Sequence, residues 1–143
     1  MIYILAFIVL IGVIVFVHEL GHYLAARSVG VTVEKFSIGM PPTIYSFKPK
    51  NFKTVFAIGA LPLGGYVKMF GEDVFNKKKI PKNQANYAFR EKKLHQRFII
   101  VLAGPLANFI FGIFGYAFIY TFIGLSHISP VINKVLIDTP AYS

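Results

Sequence analysis

Two long apolar runs without a single charge, residues 2–17 and 98–125, constrain this chain more than anything else in it. A soluble domain intersperses its apolar residues with polar ones. Here 55% of the 143 residues are hydrophobic and only 15% are charged, against about a quarter charged in globular proteins. From Ile2 to Ala26 nothing breaks a helix except Gly12 and Gly21, which membrane helices tolerate. At 1.5 Å per residue that stretch, the body of a first transmembrane helix over residues 1–26, extends about 37 Å, enough to cross a bilayer with some tilt. A second over residues 98–125 extends about 42 Å, with Gly104-Pro105 expected to kink it.

Charge is distributed as unevenly as hydropathy. Fifteen Lys and Arg against six Asp and Glu give a net charge of +9. All the cations but Lys134 fall between Arg27 and Arg97, opposed there only by Glu34, Glu72, Asp73 and Glu91. This is not the signature of a nucleic-acid partner, because a cationic loop between two apolar spans is the pattern of the positive-inside rule. The loop is expected in the cytoplasm and both termini on the opposite face. Residues 1–4 lack a positive n-region and the apolar run exceeds a signal-peptide core, so the first span is expected to stay in the mature protein. The absence of cysteine excludes disulfides and leaves His, Asp and Glu as metal ligands.

Residues 27–70 change character. Short β-prone runs at 31–33, 36–38, 54–58 and 66–69 alternate with Gly39, Pro41-Pro42, residues 48–51, Pro62 and Gly64-Gly65, which favour turns. The stretch is too apolar for a solvated loop and too broken for a helix. A β-hairpin lying against or dipping into the membrane fits it, provided protein or a water-filled cavity satisfies its backbone at that depth. Residues 71–97, with the run Lys77-Lys78-Lys79-Ile80-Pro81-Lys82, read as a basic cytoplasmic linker near anionic lipid. Residues 126–143 form a tail too short to fold alone.

The chemistry sits at the end of the first span. His18-Glu19-Leu20-Gly21-His22 is an H-E-x-x-H motif. On a helix, residues four apart point within about 40° of each other and rise by about 6 Å, so both imidazoles can reach one zinc ion. Glu19 can act as general base on a water that zinc acidifies, then return the proton to the leaving amine. Gly21 leaves room for close backbone approach. Short motifs match by chance, but three ionisable groups in five residues after an apolar run are costly to bury without a function. The motif alone does not separate a protease from another hydrolytic zinc enzyme.

Other candidates are weaker. His95 lies among Lys92, Lys93 and Arg97, a cationic neighbourhood that disfavours metal, while His127 and Asp138 fall beyond the second span, on its far face. Pro62 and Gly64-Gly65 could shape an active-site rim, although a turn is the simpler reading. Gly104, Ala107, Gly112 and Gly115 suit close helix packing, and Asn108, polar at membrane depth, is expected to hydrogen-bond a neighbouring helix, with a catalytic role as the less favoured alternative.

Four blocks stand in order along the chain: Val17-His18-Glu19-Leu20-Gly21-His22-Tyr23, Val33-Glu34-Lys35-Phe36-Ser37-Ile38-Gly39, Leu61-Pro62-Leu63-Gly64-Gly65-Tyr66-Val67-Lys68-Met69 and Ala103-Gly104-Pro105-Leu106-Ala107-Asn108-Phe109. Together they resemble the site-2 protease family of intramembrane metalloproteases, most closely its bacterial regulator of sigma-E protease group. The resemblance implies zinc ligands at His18 and His22, a catalytic Glu19, and a membrane-re-entrant β-hairpin around residues 36–69. That hairpin would receive an unwound transmembrane substrate as an added strand. The family cuts membrane-anchored regulatory proteins, often after another protease has trimmed them outside. This sequence departs from the pattern at Gly39-Met40-Pro41-Pro42, where Pro41 replaces a second glycine. The family's third ligand, an aspartate in a later Pro-x-Pro-x-Leu-Asp-Gly segment, is not among these residues. The chain is therefore expected to be an N-terminal portion whose missing C-terminal half supplies that ligand, with residues 130–141 resembling the opening of an extracytoplasmic PDZ domain.

The expected fold is a mainly α membrane protein, with two transmembrane helices and a re-entrant β-hairpin between them. The expected function is zinc-dependent intramembrane endopeptidase of a bacterial inner membrane, with Zn2+ as cofactor, a transmembrane protein as substrate, the lipid bilayer as surroundings and no nucleic acid. One alternative is a catalytically inactive, truncated homologue that binds membrane partners; zinc without cleavage would mark it. Another is a structural or transport protein with a fortuitous motif, which would hold no zinc above background.

Overall fold

The computed structural model describes residues 1–73 and 80–124. The lysines at 77–79, the tail at 126–143 with its PDZ-like opening, His127 and Asp138 lie outside the described residues.

Helix α1 (Ile2–Ser28) forms from the first apolar run and continues two residues past the expected 26. Gly30, at φ +76°, then takes the left-handed backbone that only glycine adopts without strain. Lys92 donates its Nζ to the Val29 carbonyl at 2.6 Å, placing a cation at the negative end of the helix. Helix α2 (Leu94–Phe122) starts at Leu94 rather than 98 and stops at Phe122 rather than 125. Its polar first turn lies outside the apolar run, yet the Gln96 side chain accepts the Lys93 backbone N–H at 3.2 Å and so caps the helix start. Pro105 lies inside α2. Both helices are long and apolar enough to cross a bilayer.

Between them, β1 (Val33–Phe47) and β2 (Val55–Met69) form a two-stranded antiparallel sheet. The strands fold back on one another. Lys35, Phe36, Ser37 and Ile38 pair on one side with Lys68, Val67, Tyr66 and Gly65, and on the other with Val55, Phe56, Ala57 and Ile58. Thr43 and residues 45–47 then pair with Phe56–Gly59. Along the middle ladder the partner numbers rise together, a locally parallel stretch inside an otherwise antiparallel pairing. Gly39, Pro41-Pro42, Pro62 and Gly64-Gly65 therefore lie within strands, not between them as the turn signals suggest. The register shifts around Met40–Thr43 leave prolines at positions that need no ladder N–H. Gly39 has φ +87°, and a Cβ there would sit 2.8 Å from the Gly59 carbonyl oxygen, so this bend admits only glycine.

The core gathers where the end of α1, the base of the hairpin and the start of α2 meet: Ala26, Val31, Val33, Phe36, Val67, Met69 and Ile100. Two short 3-10 turns, Ala85–Tyr87 and Phe89–Glu91, close it from the segment before α2. The Thr32 N–H donates to the Tyr87 carbonyl at 3.0 Å, and the Phe89 N–H donates to that of Phe70 at 2.8 Å. Part of the expected linker is thus packed structure, with Ala88 fully buried. The chain divides into two compact units, Met1–Ile113 and Phe114–Ser143, and all of this packing belongs to the first. In the second, the rings of Tyr116 and Tyr120, and those of Phe118 and Phe122, pair one helical turn apart.

Candidate metal centre

Helical spacing sets His18 and His22 on adjacent turns of α1, as the motif requires. Their Nε2 atoms are 3.2 Å apart, and the rings meet edge to face at an interplanar angle of 82°. His22 Nδ1 lies 2.7 Å from the carbonyl oxygen of Ile100 on α2. A carbonyl only accepts, so Nδ1 donates and Nε2 of the neutral ring carries a bare lone pair. His18 Nδ1 lies 3.3 Å from the Asn108 side-chain amide, also on α2. Both rings are therefore braced on their Nδ1 side and turn Nε2 towards each other. Two nitrogens at 2.0–2.1 Å from one tetrahedral zinc are about 3.3 Å apart, so the observed separation fits a shared ion. The donor set is incomplete, since among the described residues no cluster of three His, Cys, Asp or Glu side chains could hold a metal. A catalytic zinc usually has three protein ligands.

Small residues let α2 come this near. A Cβ on Gly21 would run into the Ala103 carbonyl oxygen and sit 2.8 Å from the Ala107 Cβ. One on Gly104, which is buried, would overlap the His22 ring at Nε2. The packing expected of Gly104 and Ala107 thus serves the histidines directly. Asn108 does bond a neighbouring helix, and its partner is His18 itself.

Glu19 is 9% exposed. It is covered by Gly65 of β2, where an added Cβ would lie 2.7 Å from the Glu19 Cγ and 3.1 Å from Val15 Cγ1. The simpler turn reading of Gly64-Gly65 gives way here: both are strand residues, and Gly65 lets the hairpin rest on the carboxylate side chain. Its signal in the sequence was a glycine pair inside a β-prone run, which marks close backbone approach as readily as a turn. Glu19 and His22 line a crevice of about 140 Å³ together with Val67, Glu72 and Ile100, with space for a few waters. His95 is exposed on the first turn of α2 and takes no part.

Residues 6–141 match the family described as Peptidase family M50, which spans the motif, the hairpin and α2. The chain belongs to peptidase family M50. That is the family of the site-2 proteases, so the resemblance read from the four blocks holds. Among relatives of this M50 chain, the regulator of sigma E protease of Haemophilus influenzae is 44% identical over 130 residues, 91% of this chain and 28% of that protein. A Vibrio cholerae protein with "zinc metalloprotease" in its name is 43% identical over 131 residues, 92% of this chain and 28% of its own length. The Escherichia coli regulator of sigma-E protease RseP is 39% identical over 136 residues, 95% of this chain and 29% of that protein. The chain therefore spans under a third of the length of these relatives.

Proposed function

We propose that this M50 chain is the zinc-binding N-terminal part of an intramembrane endopeptidase, with His18 and His22 as ligands and Glu19 as general base. The observation that carries this assignment is the pair of converging Nε2 atoms 3.2 Å apart beside a buried carboxylate. Zinc held there would polarise a scissile carbonyl and ready water for attack at neutral pH. Glu19 takes a proton from the attacking water on a carboxylate oxygen and hands it to the nitrogen of the leaving amine. Such a transfer contributes about 10²–10⁴ in rate. The crevice between Glu19 and Glu72 admits the water. The third protein ligand comes from outside the described residues, where the resemblance implies an aspartate.

The hairpin is re-entrant in this account. Residues 36–47 and 55–67 carry no charge, and Met40, Ile44, Leu61 and Leu63 are exposed, a surface suited to hydrocarbon. Gly65 meets Val15 and Glu19 well inside α1, whereas the turn at 48–54 lies by the end of α1, with the Arg27 guanidinium 5.6 Å over the Phe52 ring. One end of the hairpin is thus at mid-span and the other at the interface. The free strand edge is suited to take an unwound transmembrane substrate as an added strand. The basic segment faces the cytoplasm of a bacterial inner membrane, both termini face away, and membrane-anchored regulatory proteins are the substrate class. Cleavage of a transmembrane reporter by the complete protein in liposomes tests the assignment. Glu19→Gln should slow it by about 100-fold or more with zinc content unchanged; undiminished cleavage would overturn it.

A further inference from the structure

The two histidines are braced by partners of different chemistry. His22 leans on a carbonyl, which fixes its proton on Nδ1. His18 leans on Asn108, whose amide oxygen and nitrogen exchange places by a half-turn about one bond. In the recorded orientation Nδ2 donates towards His18 Nδ1 at 3.3 Å. The His18 proton then sits on Nε2 and is donated across 3.2 Å to the bare Nε2 of His22, whose Nδ1 donates to Ile100 at 2.7 Å. These groups form one hydrogen-bonded chain from α2 through α1 and back. With its Nε2 protonated, His18 turns no lone pair towards His22 for a shared ion; its remaining one, on Nδ1, faces Asn108.

Ligation demands the other tautomer at His18 alone. Both Nε2 atoms must be bare, so the His18 proton must move to Nδ1, where an N–H pointing back at it would repel it. Only an acceptor can stand there, and a half-turn of Asn108 presents Oδ1 at that place. As recorded, Oδ1 is buried with no partner among the described residues. The recorded orientation leaves Oδ1 unpaired, so what selects it is the state of His18 Nε2. We propose that Asn108 is a positioning residue that turns with the metal, donating to His18 Nδ1 in the metal-free protein and accepting the Nδ1 proton when His18 ligates. One proton leaves Nε2 as one is taken up at Nδ1, with no net gain or loss. The proposal rests on His18 and His22 being ligands and adds a role for α2.

Leucine has the shape of asparagine but neither amide function, and aspartate keeps only the acceptor. Zinc should be titrated, against a chromophoric chelator at fixed pH, into the complete, detergent-solubilised protein and its Asn108→Leu and Asn108→Asp variants. The Leu variant should bind about 10- to 100-fold more weakly, as loss of such an outer partner does elsewhere, and the Asp variant at least as tightly as the wild type. ¹⁵N NMR of labelled histidine in the metal-free proteins reads the tautomer directly. The wild type should carry the His18 proton on Nε2 and Asn108→Asp should carry it on Nδ1. Equal affinity in all three proteins, an Asp variant as weak as Leu, or one His18 tautomer shared by metal-free wild type and Asn108→Asp would each overturn the proposal. If even the wild type takes up no zinc, the ligand assignment falls, and the tautomer comparison still decides the role of Asn108.

Discussion

Each imidazole of the motif is steadied from behind by α2, and this support is as specific as the motif. Gly104 lies under the His22 ring, where a methyl group would overlap Nε2. Gly104→Ala should therefore push the ring aside, weakening zinc binding by about tenfold or more and destabilising the fold by about 1–3 kcal/mol. Gly12→Ala, with nothing within 4 Å of the added carbon, should change neither. Zinc titration and thermal unfolding of the two variants side by side check this. His18, Glu19 and His22 were legible in the sequence because one helix fixes their mutual geometry. Gly65 and Ile100 were not, since what they do for Glu19 and His22 depends on chain far away: Gly65 lies 46 residues beyond Glu19, and Ile100 contributes a carbonyl that any residue has. Asn108 stood between these cases. Its polarity within an apolar run announced a partner on another helix, but not which one.

The elements follow the same division. Uninterrupted apolar runs made both helices legible, and α2 was misjudged at its two ends: at its polar start, where the Gln96 cap extends it to Leu94, and at its close, which comes at Phe122 rather than 125. The hairpin was legible as β-structure but not in its strand lengths, because prolines and glycines that usually end strands here bend them. If its uncharged end lies in hydrocarbon, a lysine there is expensive. Leu63→Lys should cost about 2.5–3.5 kcal/mol if that residue lies near the bilayer centre, whereas Asn51→Lys, in the turn beside Phe52, should be nearly silent. Folded yield and unfolding of the nanodisc-embedded proteins measure the difference. Equal behaviour of the two variants would place the hairpin outside the membrane interior.

Taken together, the chain sets a basic segment between two apolar helices, and the sidedness drawn from that charge bias can be read chemically. The protein has no cysteine, so single substitutions report without background. A membrane-impermeant maleimide should label Lys50→Cys only from the cytoplasmic side and Tyr3→Cys only from the opposite one; the reverse pattern would invert the topology. Among the described residues His18 and His22 come together, and no cluster of three His, Cys, Asp or Glu side chains forms around them. The measurement that bears most directly on the whole account is zinc content with X-ray absorption on the complete, membrane-extracted protein and its His18→Ala, His22→Ala double variant. One zinc per chain, with imidazole nitrogens at about 2.0–2.1 Å, is expected in the wild type and none above background in the variant. Zinc retained in the double variant would contradict the assignment of these histidines as its ligands.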